Sequence, residues 1–506
     1  MVVSIGAGDH AGVASTSIAA ERQGSHTEDV CAIGKHMKVG IGSFGAWMLG
    51  VGGIIGSMAW LFHSYMIARA GALCATVAWL LGALTFIPMA LILAELSSMF
   101  PTAGGPYVYK FYALKRLFKT SGEMLGFLTG WIFYASLLAG YACMANGLVN
   151  VTGGAAFGSL DKTPLWFGPA VIFALFAATT AVNLMHVGRA TMLNNVFTVV
   201  KLLMVPAFVA LVASAPSSSF KYLLNPANLS GHSNVLENLT SVLTMAIGGF
   251  GGIEIMACAS SETRDARKNI PRAMFLTLGS VALIYAAMSA AIGVAAAYVL
   301  GPDKATSLVP GTKFSATFPG VVEFIAGNVW GRIAAGCVAA SIIGCAIAGL
   351  LALARLGYSL ASTGLFPRAF AQLDEGTKVP GYALKFQFIV LCVIGIAANL
   401  ASRTGFFPDA YSYLGETFCF MYLFILLLYG VSLIILRYTD PDMARPYRIG
   451  ARGNWQAWLV TLLATGIFGY VAFGCTKPIY QLGGLIILMS GLPVYGYFRW
   501  RRSVRR

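Results

Sequence analysis

The chain has 506 residues, of which 58% are hydrophobic, 10% are charged and 58 are glycine, with a mean hydropathy of +0.75. Soluble proteins carry roughly 25% charged residues, and a core to match this composition would exceed what one domain supports; a soluble enzyme is excluded and a polytopic membrane protein expected. The net charge of +15 must be read by position along the chain before it is taken as a nucleic-acid signal.

Residues 1–39 are polar, rich in Gly, Ser and Ala, and contain Asp9, Glu21, Glu28 and Asp29 but no apolar h-region. They read as a mostly disordered cytoplasmic tail, not a signal peptide. Apolar runs follow at 40–68, 72–97, 125–151, 166–185, 190–214, 236–260, 273–299, 332–355, 383–401, 409–436, 455–475 and 479–498. Each is long enough to cross a bilayer, which predicts about twelve spans and an all-α fold. With the tail inside, Lys and Arg favour that side by roughly three to one, the bias that sets both termini, including the basic 499–506 end, in the cytoplasm of a plasma (inner) membrane protein. The basic balance then reflects topology and contact with anionic membrane lipids, not nucleic acid.

The first run is interrupted by Gly50, Gly52, Gly53 and Gly56, followed by Ser57, and the sixth by Gly248, Gly249, Gly251 and Gly252 around Phe250. If 40–214 and 236–436 are five-span repeats, with 455–498 as two further spans, each interruption lies in the first helix of its half. Matched broken helices in two halves point to a transporter's substrate site. Bare backbone groups at membrane depth cost several kcal/mol each unless they face protein, water or a ligand. Taken singly, either glycine set reads equally well as close helix packing.

Breaking a helix frees amides at the start of its second half and carbonyls at the end of its first. A zwitterion suits both. Its carboxylate is expected on the amides around Gly53, Ile54, Ile55, Gly56 and Ser57. Its ammonium is expected near the carbonyls of 46–50 and of Ile247 to Phe250, with Gly251 and Gly252 completing the second break.

Tyr134, Tyr141, Cys143 and Asn146 in the third span sit at helical spacing and either line the pocket or pack the core. Lys201 is the only lysine well inside a span. A buried ammonium is costly unless paired or neutralised, the alternative being a stem that reaches the interface. Among the carboxylates, Glu254 follows the second break directly and is the first candidate for a substrate partner or proton carrier. Glu416 early in the tenth span is either a proton site or a charge facing the substrate, while Glu95 and Glu262 at the cytoplasmic ends suit structural ion pairs. His63 and His186 near span ends read as structural. The nine cysteines show no metal or disulfide spacing, and no P-loop, metal cluster or nucleophile triad appears. No cofactor, metal or ATP-driven chemistry is therefore expected.

Six segments, in order and at the expected loops, resemble the amino acid–polyamine–organocation (APC) superfamily, specifically its bacterial-type amino acid permeases: GVGGIIGS at 50–57, AELSSMFPTAGGPYVY at 94–109, GFGGIE at 249–254, SSETRDARKNIPRA at 260–273, ARLGYSLASTGLFPRA at 354–369 and RPYR at 445–448. The resemblance covers most of 40–450. It implies a leucine-transporter-like core of five-plus-five inverted repeats with the first and sixth helices broken. It implies secondary transport of amino acids by proton-coupled symport or exchange. It places Phe250 as an aromatic gate, Glu254 at a recurrent acidic position, and Lys201 where a sodium ion would bridge the first and eighth helices, with Ser341 as the hydroxyl that would ligate that ion. Met58 departs from the small residue usual after Gly-Ser, which bears on pocket size. Light chains of heteromeric relatives carry a cysteine between spans three and four; residues 152–165 have none, so no disulfide-linked heavy chain is expected. The rival functions are a polyamine or amine carrier, which needs carboxylates around its ligand, and a non-transporting amino acid sensor.

Overall fold

The structure, a computed structural model, describes residues 36–118, 121–158, 162–215, 223–224, 234–300, 318–405, 410–450 and 453–504. The predicted tail lies outside them up to residue 35, as do the last two residues of the basic end. The described residues are predominantly helical, without strands among them; isolated bridges Ile41–Thr263 and Ala103–Ala259 tie loops together.

The first apolar run forms α1 (Ser43–Ile54) and α2 (Met58–Ala70), bent by 43° at the intervening glycine segment. Then come α3 (Ala72–Met99), the short α4 (Gly105–Leu117), α5 (Gly122–Phe157), α6 (Phe167–Leu184) and α7 (Val187–Ser214). The sixth run divides into α8 (Val235–Gly248) and a single turn, α9 (Ile255–Cys258). It is followed by α10 (Ala266–Leu300), α11 (Phe318–Ala326), α12 (Asn328–Ser362), α13 (Gly381–Arg403), α14 (Ala410–Thr439), α15 (Trp455–Tyr470) with a π-turn to Cys475, and α16 (Pro478–Ser503). By length and hydropathy ten of these helices cross a membrane, and α1 with α2 makes an eleventh span. The expected twelfth, over 236–260, does not qualify as one helix, because the glycines end α8 after 14 residues.

Burial sorts the spans. In the most apolar windows of α5, α12 and α14, 89%, 78% and 78% of residues are buried, against 28% and 17% in α15 and α16. The first three therefore form the inner wall against which both broken helices pack, and the last two lie at the periphery. Pro88, Pro206, Pro271 and Pro493 lie inside spans, which neighbouring helices and local adjustment of the backbone allow.

Two buried ion pairs lock the basic face. Glu95 of α3 accepts from Arg437 of α14 at 2.6 and 3.0 Å and from the Ile449 amide at 2.8 Å. Glu262 accepts from Arg355 of α12 at 2.9 and 2.8 Å. Both carboxylates, expected to be structurally paired, are so. His63, read as structural, is fully buried, its ring 4.8 Å from Trp79 and 5.8 Å from Tyr285. His186 caps α7 by accepting from the Gly188 amide.

Candidate functional site

The two glycine breaks meet. A Cβ on Gly252 would stand 3.1 Å from the Gly53 carbonyl oxygen, and one on Gly53 would stand 2.6 Å from Ile255 Cδ1. Such approach is open only to residues without side chains, and the φ of +112° at Gly252 also requires glycine.

Four successive carbonyls freed at the first break each accept from a different helix-borne side chain. Lys201 Nζ of α7 donates to Gly52 O at 2.7 Å, and Cys345 Sγ of α12 donates to Gly53 O at 3.0 Å. The Tyr285 hydroxyl of α10 lies 3.3 Å from Ile54 O, and Ser341 Oγ of α12 lies 3.3 Å from Ile55 O. Trp60 Nε1 donates to Ser341 at 2.8 Å, so that hydroxyl is held from both sides. One turn earlier, Asn194 Nδ2 donates to Met48 O at 3.2 Å. These bonds remove the penalty of an unwound segment at membrane depth. Tyr285 also donates to Gly249 O at 3.0 Å, so one phenol serves both breaks.

Lys201 is wholly buried and does not reach an interface. Its ammonium touches the first break and abuts α12 at Gly344, where a Cβ would lie 3.6 Å from Nζ. Glu254, also buried, accepts from the Tyr422 hydroxyl at 2.7 Å through Oε2, while Oε1 has no protein partner. Glu416 lies elsewhere: it pairs with Arg69 at the end of α2, 3.7 Å away, outside the space between the breaks.

Between the breaks is a cavity of about 60 Å³, room for several waters. Of the residues expected to bind substrate, Gly53, Ile54, Gly56, Ser57, Gly251 and Gly252 line it, joined by Gly248 and Gly249; Ile55, Ile247 and Phe250 do not. Tyr141 lines it too, whereas Tyr134, Cys143 and Asn146 pack elsewhere. Phe250 sits in an aromatic core with Trp79, Phe86 and Tyr285, and the ring on the cavity wall is Phe418 of α14. Met58 forms part of the wall. No charged side chain lines the cavity among the described residues. Ser57 Oγ is buried without a partner, and the first amides of α2, as at any helix start, have no carbonyl one turn back to bond. The wall thus offers an anion a positive helix end.

Sequence reasoning missed Tyr285, Cys345, Tyr422 and Lys110. Lys110, on the non-spanning α4, is fully buried with no hydrogen-bond partner, its ammonium 4.2 Å from the Tyr429 ring centroid and 5.1 Å from that of Phe133. Burial pushes it down to about 7, against an upward pull from the Glu254 carboxylate. Its place one residue past the end of the 94–109 motif was the one available signal.

Comparison with known proteins identifies the family. The family described as Amino acid permease matches residues 41–487. The chain is 27% identical to the Large neutral amino acids transporter small subunit 2 of Homo sapiens over 478 residues, covering 91% of this chain and 81% of that protein. It is 24% identical to the Glutamate/serine transporter AimA of Bacillus subtilis (strain 168), with the same shares covered. It is 23% identical to the Serine/threonine exchanger SteT of the same organism, over 94% of this chain and 100% of that protein.

Proposed function

Because the chain belongs to the amino acid permease family of the APC superfamily, and is a membrane transporter and not an enzyme, we propose that it carries a zwitterionic amino acid by alternating access around its two broken helices. The observation that carries this reading is a cavity walled by both breaks and lined by no charged side chain among the described residues. A zwitterion needs no side-chain counter-ion there, because the start of α2 suits its carboxylate and the backbone oxygens of the breaks suit its ammonium. A diamine has two positive charges and would leave both without a carboxylate partner, which disfavours the polyamine reading.

In this reading the chain works without sodium. The Lys201 ammonium stands in for a cation between the first break and α12, with Ser341 one turn away fixing the same segment. Glu254, its Oε1 free of protein partners, carries the proton, and Glu416 with Arg69 ties the ends of α2 and α14. Residues 40–214 and 236–436 act as inverted repeats, with 455–498 outside them. The bias of basic residues supports cytoplasmic termini in a plasma membrane, and the absence of cysteine from 152–165 supports function without a disulfide-linked heavy chain.

The test is uptake by purified protein in proteoliposomes under imposed ion gradients, with competition by neutral amino acids and by diamines. Uptake competed by amino acids, and driven by a proton gradient or by internal amino acid, is expected. Competition by diamines alone would overturn the substrate, and accumulation strictly dependent on sodium would overturn the role of Lys201.

A further inference from the structure

A second cavity, of about 320 Å³, opens on the basic face where the turn after α12 meets the end of α16. Its walls include Gly364, Phe366, Arg368, Phe498, Arg501 and Arg502. Of the three guanidiniums, only Arg502 is neutralised. It donates to both oxygens of Glu123 at 2.8 and 3.0 Å and lies 3.4 Å from the Thr363 carbonyl oxygen, which fixes the end of α16 against α5 and α12. Arg368 and Arg501 are exposed and make no ion pair or hydrogen bond among the described residues. The cavity thus holds three positive charges against one negative.

Its floor is aromatic. Phe366 lies 6.2 Å from Phe498 and 4.8 Å from Phe370, centroid to centroid. Gly364, at φ +77°, turns the chain so that Phe366 reaches this floor while Arg368 stays at the rim. On α16 beside the cavity, Tyr497 and Trp500 are 51% and 63% exposed, although large and aromatic. Exposed aromatic residues at the end of an apolar span mark the boundary between hydrocarbon and headgroups. The cavity therefore sits at headgroup depth. Farther up the same helix, Leu485, Ile486 and Met489 are exposed as well, an apolar flank that leads from the cavity into the hydrocarbon.

We propose that this cavity binds the phosphate of an anionic membrane phospholipid, with Arg368 and Arg501 on the phosphate oxygens and an acyl chain lying along the exposed flank of α16. Planar guanidiniums suit phosphate bidentately, and basic pockets between spanning helices on the cytoplasmic side suit such headgroups. A free phosphate accounts for the two arginines but not for the aromatic floor or the apolar flank. The bound lipid would brace the turn after α12 against α16, leaving the substrate cavity untouched.

The experiment uses the full chain, first in detergent and then in phosphatidylcholine nanodiscs. Native mass spectrometry and thermal melting are measured with added phosphatidylglycerol, phosphatidylcholine, glycerol 3-phosphate and inorganic phosphate. Phosphatidylglycerol should be retained as a one-to-one adduct and raise the melting temperature, while the other three should not. In Arg368→Gln/Arg501→Gln, retention should fall by roughly tenfold or more, as two surface charges are lost. Arg189→Gln/Arg267→Gln, an equal loss of two exposed charges elsewhere on the basic face, should retain the adduct. Both arginines of the double variant are exposed, so a folded protein is expected, and its unliganded melting temperature checks this. Equal retention by the double variant would place the lipid elsewhere and overturn the proposal. An equal shift with inorganic phosphate would make this a soluble-anion site and overturn it too, and so would equal loss in Arg189→Gln/Arg267→Gln, which would reduce the effect to general surface charge.

Discussion

The Lys201 ammonium donates to the Gly52 carbonyl across 2.7 Å, and no carboxylate shares it among the described residues. The bond joins α7 to the first break at the point where the helix ladder ends. A hydrogen bond to a charged group contributes about 1.5–3 kcal/mol, so Lys201→Ala should slow uptake by roughly ten- to a hundredfold. The variant should still elute as a folded species, because Cys345, Tyr285 and Ser341 hold the next three carbonyls. Initial rates in proteoliposomes beside size-exclusion profiles check this.

The two contacting glycines should differ in tolerance. A methyl on Gly53 meets Ile255 Cδ1, the far end of a flexible side chain, whereas one on Gly252 meets the Gly53 carbonyl and also requires an unfavourable φ. Gly252→Ala should therefore abolish uptake, since strained backbone of this kind costs about 1–3 kcal/mol before any clash is counted. Gly53→Ala should be damaging alone and partly restored by Ile255→Val, which removes the conflicting methyl. Rates of the three single variants and the pair give the comparison.

Met58 stands on the cavity wall where its thioether takes up space. Met58→Ala should enlarge the cavity and shift preference toward longer side chains, most visibly as a lower half-saturation for large neutral amino acids relative to serine or alanine. Competition assays against one labelled substrate measure the ratio.

Lys110 carries its charge below about pH 7 and sheds it above. In acid its ammonium attracts Glu254 and favours the arrangement seen here between α4 and the second break; in alkali that attraction is gone. Wild-type uptake should therefore rise as the pH on the basic side passes upward through neutrality, and Lys110→Met should flatten that portion of the profile. The groups near Lys110 from the packed elements are Glu254 and Cys258 of the second break and the rings of Phe133 and Tyr429. A profile unchanged by the substitution would show that another group sets the response.

The spans were readable because each is a long apolar run, and the breaks because glycine pairs interrupt that run twice. Lys201 stood out as a charge with no polar neighbours in sequence. The aromatic wall was not readable: residues inside a break follow no helical period, so nothing in the order Gly249, Phe250, Gly251 says which way the ring turns. Phe250 faces Trp79 and Phe86, and Phe418, from a helix far along the chain, takes the wall. Tyr285 and Tyr422 were hidden for a related reason, since a tyrosine in an apolar helix shows its hydroxyl's target only once the helices are assembled. Lys110 resembled Lys115, which is exposed, because sequence does not record that α4 turns one face into the protein. The pairing of Glu416 with Arg69 depends equally on tertiary contact.

The hydroxyl of Tyr285, shared between Ile54 and Gly249, has a mechanical consequence. A proton held by two acceptors on separate hinges acts as a rivet: tilting either hinge lengthens the other's bond unless both travel together. In the alternating access proposed above, the shared hydroxyl favours movement of both hinges together. Pulling the rivet, as in Tyr285→Phe, is expected to loosen this coupling while leaving every span in place.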